Sequence, residues 1–304
     1  MLARILGSGA AGAFPQWNCN CRNCGGLRRA AIKARARTQS SLAVSDRGRH
    51  WVLFNASPDI RVQIESFAPL QPQEGVRGTG VAAIVPVDAQ MHNVIGMLML
   101  REGKALEVYT TEVVREELTS RFPVFTLLSR YCGVNWHQLD PASGGGFTVP
   151  ECAGLRFTAV AVQSKAPPYS PHRHDPHPGD TIALWVEDLG TGRSLLFAPA
   201  CGQVSPELLS VMERSDCVMV DGTFWENEEM AATGLTDKQA RAIGHLPQAG
   251  PGGMLGILAE LKKPRKILTP INNTNPILDE ASPERRQVEE SGVEVAYDGL
   301  EIVL

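Results

Sequence analysis

The stretch SLAVSDRGRHWVLFN, Ser41 to Asn55, holds two strand-like apolar runs, Leu42 to Ser45 and Trp51 to Asn55, with five residues between them. Five residues make a turn and leave no room for the helix that usually joins neighbouring parallel strands. The same reading extends outward. Strand-like runs recur at Leu2 to Gly7, Val81 to Val87, Leu106 to Thr110, Leu155 to Val162, Thr181 to Glu187, Ser194 to Ala198, Cys217 to Asp221, Lys266 to Thr269 and Val293 to Ala296. Shorter helical patterns with recognisable starts lie between them: Thr111-Glu112 before VVREEL, Ser205-Pro206 before ELLSVMER, Thr236-Asp237 before KQARAI and Ser282-Pro283 before ERRQVEE. Gly244 and Gly292 supply stops, and the apolar run Val94 to Leu100 reads as a core helix. Strands thus come in pairs and triplets before each helix, whereas a doubly wound parallel sheet alternates strictly. The expected fold is α/β, an αββα sandwich of two mixed sheets flanked by helices. No internal repeat or long linker interrupts the chain, so residues 1–304 are expected to form a single domain.

With 43% hydrophobic and 20% charged residues, the composition is that of a globular protein and excludes a disordered or fibrous one. The net charge of −4 offers no basic field, so a nucleic-acid partner is not expected. No apolar run approaches the roughly 20 residues that span a bilayer. The first residues, MLARILGSGAAGAFP, enter a strand-like run with no clear cleavage site, and a cytoplasmic location is expected. Seven cysteines, three of them within six residues and four scattered in apolar contexts (Cys132, Cys152, Cys201, Cys217), point to reduced thiols and a metal rather than to a disulfide framework.

Those three are Cys19, Cys21 and Cys24, a C-x-C-x2-C cluster followed by Gly25-Gly26. The spacing lets three thiolates converge on one ion, and structural zinc with a fourth ligand from elsewhere is the expectation; the alternative is a trio of packed or redox-active thiols. In VPVDAQMHN the alternate residues Asp88, Gln90 and His92 sit at a strand end and can face a cleft, although a lone histidine there is more often structural. Asp221 closes the run DCVMVD before GTFW, which makes it either a metal ligand at the mouth of a sheet or the cap of an Asp-Gly turn. His172, His174 and His177 lie in SPHRHDPHPGD, within the long Pro-rich stretch Lys165 to Asp180, where they supply ligands or acid–base groups, or are simply solvated. His245 opens HLPQAGPGG ahead of a helix near Met254, where exposed amides behind Gly250 to Gly253 can receive an anion such as a carboxylate.

The motifs FPQWNCNCRNC (Phe14 to Cys24), NASPDIR (Asn55 to Arg61), DAQ (Asp88 to Gln90), SPHRHDPHPGDTIAL (Ser170 to Leu184), FAPACG (Phe197 to Gly202), DGTFW (Asp221 to Trp225), GHLPQAGPGG (Gly244 to Gly253) and INNTNPILDE (Ile271 to Glu280) together resemble, end to end, the pyrroloquinoline quinone biosynthesis protein B family of the metallo-β-lactamase fold superfamily. The resemblance implies the same sandwich. It also implies a cytoplasmic bacterial protein that works with others to make the redox cofactor pyrroloquinoline quinone (PQQ) from a glutamate and a tyrosine cross-linked in a small precursor peptide. Two roles go with the family: iron- and oxygen-dependent hydroxylation of the tyrosine-derived ring, and carriage of PQQ or its precursor toward the periplasm. The family pattern D-A-Q-x-D-H is altered here, with His92 in place of Asp and Asn93 in place of His, and Pro270 stands where the family has a histidine before INNTN. Asp221 is in place. By the same resemblance, Asn273 is the residue that completes the zinc cluster.

The first expectation is therefore a non-haem iron hydroxylase with Fe(II) at a second site on His92 and Asp221, Asp88 beside them, and structural zinc at the cysteines. Arg61, Ser170, His172, His174 and His245 are expected to bind the precursor, arginine being suited to bidentate carboxylate contacts. The second is a carrier with structural zinc only. A hydrolase with two zinc ions fares worst, because Gln90, Asn93 and Pro270 remove ligands it requires. VVREELTSRF and ERRQVEE read as solvated helical faces, and a homodimer is the assembly expected.

Overall fold

In the computed structural model, which describes residues 1–304, Leu42 and Val44 point into a core between two sheets while Ala43 points outward to a helical layer. In the next strand Val52 and Phe54 point inward and Trp51 and Leu53 outward. Both faces are covered, which is why these runs read as continuously apolar rather than alternating.

The chain lays down β1 Leu2–Gly7, β2 Ser41–Ser45, β3 Trp51–Phe54, β4 Val81–Val85, β5 Leu106–Thr111 and β6 Val134–Leu139. It then forms β7 Gly146–Phe147, β8 Leu155–Ala161, β9 Ile182–Asp188, β10 Ser194–Ala198, β11 Cys217–Val220, β12 Arg265–Leu268 and β13 Glu294–Val295, and ends in β14 Glu301–Val303. The first sheet has the order β14-β1-β2-β3-β4-β5-β6 and the second β13-β12-β11-β10-β9-β8-β7. In the first, pairing is antiparallel from β14 to β3 and parallel from β3 to β6. In the second, it is parallel from β13 to β10 and antiparallel from β10 to β7. Both sheets are thus mixed, as expected.

Phe54 lies at the centre between them, its ring 6.1 Å from that of Phe157 and 5.8 Å from that of Phe197. Outside the first sheet pack the helices Ile60–Glu65, Glu112–Glu116 and Val124–Leu128; outside the second, Pro206–Arg214, Met254–Glu260 and Pro283–Glu290. The expected starts hold at three of them: Thr111 Oγ1 accepts from Val114 N at 3.3 Å, Ser205 Oγ from Leu208 N at 3.1 Å and Ser282 Oγ from Arg285 N at 3.0 Å.

Three expectations need correction. KQARAI yields only a 3-10 turn, Arg241–Ile243, because Ala240 alone is buried there and no apolar face exists to hold a helix. The run Val94 to Leu100 is mostly a 3-10 turn, Ile95–Leu100, in which Met97 is buried and Met99 is half exposed. VVREELTSRF is not a wholly solvated face: Val114, Glu117 and Leu118 are buried, three and four residues apart on the side toward the sheet. No helix is long and apolar enough to cross a membrane.

Candidate functional site

The C-terminal ends of the parallel strands from both sheets meet at one rim, where ligands of such sheets characteristically bind. Two strand-like contacts tie the sheets together there: Asp88 bridges Thr181, with Ile182 N donating to Val87 O at 2.9 Å, and Ile271 N donates to Ser8 O at 2.9 Å. Asn55 sets the position of Asp88. It adopts a left-handed backbone conformation, φ 67°, that asparagine tolerates better than most residues, and its Oδ1 accepts the Val87 N–H at 3.0 Å. Gly244, φ 96°, turns the chain into His245; a Cβ there would come within 2.6 Å of Lys165 N.

Between these elements lies a cleft of about 410 Å³, lined by Asp88, His92, Asn93, Phe224, His245 and Pro270 and also by Arg173 and Lys238. Asp88 Oδ1 accepts from Gln90 N at 2.8 Å and from Asn93 Nδ2 at 2.7 Å, and burial pushes its carboxyl up to about 6. His92 is pushed down to about 4 by burial and by the nearby His245, so its imidazole is neutral at physiological pH. Asp221 sits behind them, fully buried. Its Oδ1 accepts from Thr223 N at 2.9 Å, while its Oδ2 accepts from Cys201 N at 2.9 Å and lies 2.7 Å from His245 Nδ1. Burial works against a charge on His245, but the Asp221 carboxylate outweighs it and raises the imidazole above its usual value. The rim therefore pairs a histidine held neutral with one whose protonation Asp221 favours.

Cys19, Cys21 and Cys24 come together at the start of the helix Arg22–Arg28, their sulfurs all within 4.8 Å of one another. Gln16 N donates to Cys24 Sγ at 3.3 Å and Cys21 N to Cys19 Sγ at 3.4 Å. Burial pushes the Cys24 thiol up to about 12; at Cys21 the neighbouring hydrogen bonds overcome burial and hold the thiol below its usual value. The Asn273 side chain faces all three sulfurs, with Nδ2 3.2 Å from Cys19, 3.6 Å from Cys24 and 3.8 Å from Cys21. Asn23 Nδ2 holds that loop by donating to Asn273 O at 3.0 Å and Asn275 O at 2.9 Å.

The other expected substrate residues are dispersed. Arg61 lies outside the cleft: it is exposed on the outer helix and pairs with Glu65 one turn on, at 3.3 Å, because the helix turns it away from the rim. His174 is exposed on the 165–180 loop. Ser170 is buried but caps its own turn, accepting from His172 N at 3.0 Å. His172 turns to Asp180, 3.0 Å away, instead of lining the cleft. No anion site opens behind Gly250 to Gly253, since Met254 N and Leu255 N already donate to Pro247 O and Gln248 O. Arg173, one residue from His172, is the basic residue of the loop that does reach the cleft.

Residues 50–271 match the model of the beta-lactamase superfamily domain. The chain is 56% identical to coenzyme PQQ synthesis protein B of Methylococcus capsulatus (strain Bath) and 54% identical to that of Methylobacillus flagellatus, in each case over the full length of both chains. It belongs to the coenzyme PQQ synthesis protein B family. A solved member, Zn(2+)-bound PqqB from Methylobacterium extorquens, superposes with a TM-score of 0.90 at 32% identity, covering 100% of both chains. A diphosphatase of the PhnP family shares the fold, with a TM-score of 0.67 at 17% identity over 99% of this chain and 96% of that one. The αββα sandwich expected from the strand pattern is thus the fold of this family.

Proposed function

We propose that the chain acts in PQQ synthesis as a metal- and oxygen-dependent hydroxylase of the tyrosine-derived precursor, with structural zinc at Cys19, Cys21, Cys24 and, through its amide oxygen once the amide turns over, Asn273. The observation that carries the first part is a cleft lined by Asp88, His245 and a neutral His92, with the Asp221 carboxylate behind it against His245. Such donors suit a first-row ion of the iron type, and three close thiols with N–H groups directed at them suit zinc. The zinc bound by the Methylobacterium extorquens relative agrees with the latter.

A bound iron would supply dioxygen activation at the cleft. The chain's own residues do the rest. His92 offers a lone pair at neutral pH, and Asp221 fixes the His245 ring and favours its protonated form, which suits it to donate to a phenolic oxygen of the precursor rather than to hold the ion. Arg173 and Lys238 attract the precursor's carboxylates, the role expected of Arg61. Phe224, edge-on to His245 at 5.5 Å, gives the aromatic ring an apolar wall. A cytoplasmic location and exchange of precursor and product with other PQQ-synthesis proteins belong to the same reading.

The test is metal analysis after anaerobic iron loading, with oxygen uptake on the diphenol precursor, for the native chain, His92→Ala and Cys21→Ala. The expected result is one iron equivalent and the oxygen uptake lost with His92, and zinc lost with Cys21. No iron equivalent that depends on His92 under any loading, and no oxygen uptake, with precursor still bound, would replace the hydroxylase by a carrier. That second reading has its own support, since Asn93 and Pro270 are poor ligands and Asp221 Oδ2 is already shared between Cys201 N–H and His245.

A further inference from the structure

We propose that Glu117, His172 and Asp180 form a divalent-cation site, separate from both the cysteine cluster and the cleft, which clamps the 165–180 loop to the helical layer of the first sheet. Ligand atoms of the three side chains all lie within 4.8 Å of one another, and His172 Nδ1 is 3.0 Å from Asp180 Oδ1, a spacing two donors on one ion adopt. Glu117 is only 3% exposed, and its Oε1 is buried without a hydrogen-bond partner. A buried carboxylate in that condition is costly unless it takes up a proton or a cation compensates it. No lysine or arginine forms an ion pair with Glu117 or Asp180; the imidazole of His172 is the neighbour that faces them.

The surrounding backbone holds the three groups in place. Glu117 begins a π-helical turn, Glu117–Arg121, directly after the helix Glu112–Glu116, and such turns recur at functional sites. Thr111 Oγ1 donates to Gly179 O at 2.8 Å, next to Asp180, whose Oδ2 accepts from His177 N at 2.6 Å. The ligand set is one imidazole and two carboxylates. It suits Mn²⁺, Fe²⁺ or Zn²⁺ and leaves positions for water, whereas Ca²⁺ prefers oxygen alone.

The experiment is Mn²⁺ titration of the protein with its cysteine cluster zinc-loaded, following the signal of free Mn²⁺ by electron paramagnetic resonance. In Glu117→Gln and His172→Ala one Mn²⁺ equivalent is expected to weaken by at least about tenfold. In His92→Ala that equivalent stays at native affinity. Mn²⁺ is also expected to slow amide exchange in residues 165–180 of the native chain and not in Glu117→Gln. His172 lies on a partly exposed loop turn, so its variant reports on the site if the buried Glu117 variant loses zinc or folds poorly. Native Mn²⁺ affinity and stoichiometry in His172→Ala, or no equivalent surviving in His92→Ala, would overturn the proposal.

Discussion

Glu229 is 7% exposed, with Oε2 accepting from Trp225 N at 2.5 Å and Oε1 from the Thr274 hydroxyl, and burial pushes its carboxyl up to about 7. A folded-state value above the unfolded one means that the folded chain binds the extra proton between about pH 4.3 and 7. Stability is therefore lost as pH rises through that window, and the cost is complete above it. Glu229→Gln keeps both contacts, its amide donating to Thr274 and accepting from Trp225, and carries no charge. The variant is expected to match the native chain at pH 4 and to exceed it at pH 8 by up to about 3 kcal/mol, read from urea unfolding at the two pH values. An equal difference at both would remove the charge from the account. At this scale the sequence was legible where the backbone fixes direction. Asp88 and Asp221 follow strands, so their place at the rim follows from the runs before them. Arg61 and Glu117 lie on helices, where one position of register decides between solvent and sheet: Arg61, expected to reach the precursor, faces solvent and pairs with Glu65, and Glu117, read as part of a solvated face, is buried.

Thr111 links two elements through one hydroxyl, which caps the helix Glu112–Glu116 and donates to Gly179 O in the 165–180 loop. Thr111→Val preserves shape and removes both bonds. A loss of about 1–2 kcal/mol is expected in urea unfolding, together with faster amide exchange confined to residues 165–180. Exchange unchanged in that loop would mean the tie is not what orders it. Elements buried on both faces were legible because their sequences are apolar throughout; β2, β3, β10 and β11 fall within a residue of their expected bounds. Those missed are short or polar. β6, VNWHQL, is an edge strand with one buried residue, and β7 is two residues long, so neither carries a pattern to read. The cysteine cluster is the converse case, a site readable from spacing alone. Cys21→Ser is expected to lose the metal and to loosen residues 271–275, which Asn23 and Asn273 hold against the cluster, with a lower thermal midpoint as the readout.

The whole molecule depends on the layer between the sheets. Phe54 is fully buried there from the first sheet and meets Phe157 and Phe197 of the second, while the rim contacts at Asp88 and Ile271 join the sheets at one end. Neither sheet has another surface on which to bury its inner face, so residues 1–304 are expected to unfold as one unit. Phe54→Ala removes a ring from a site walled by both sheets and is expected to cost about 3–5 kcal/mol. The decisive readout is native-state hydrogen exchange by segment. If the layer is shared, slow amides of β2 and β3 and those of β10 and β11 lose protection by the same free energy, because each opens only when the other does. Loss confined to β2 and β3 would divide the chain into two domains. The cleft would then lie between two units that open separately, and His92 of the first sheet would not stay in one cleft with His245 of the second.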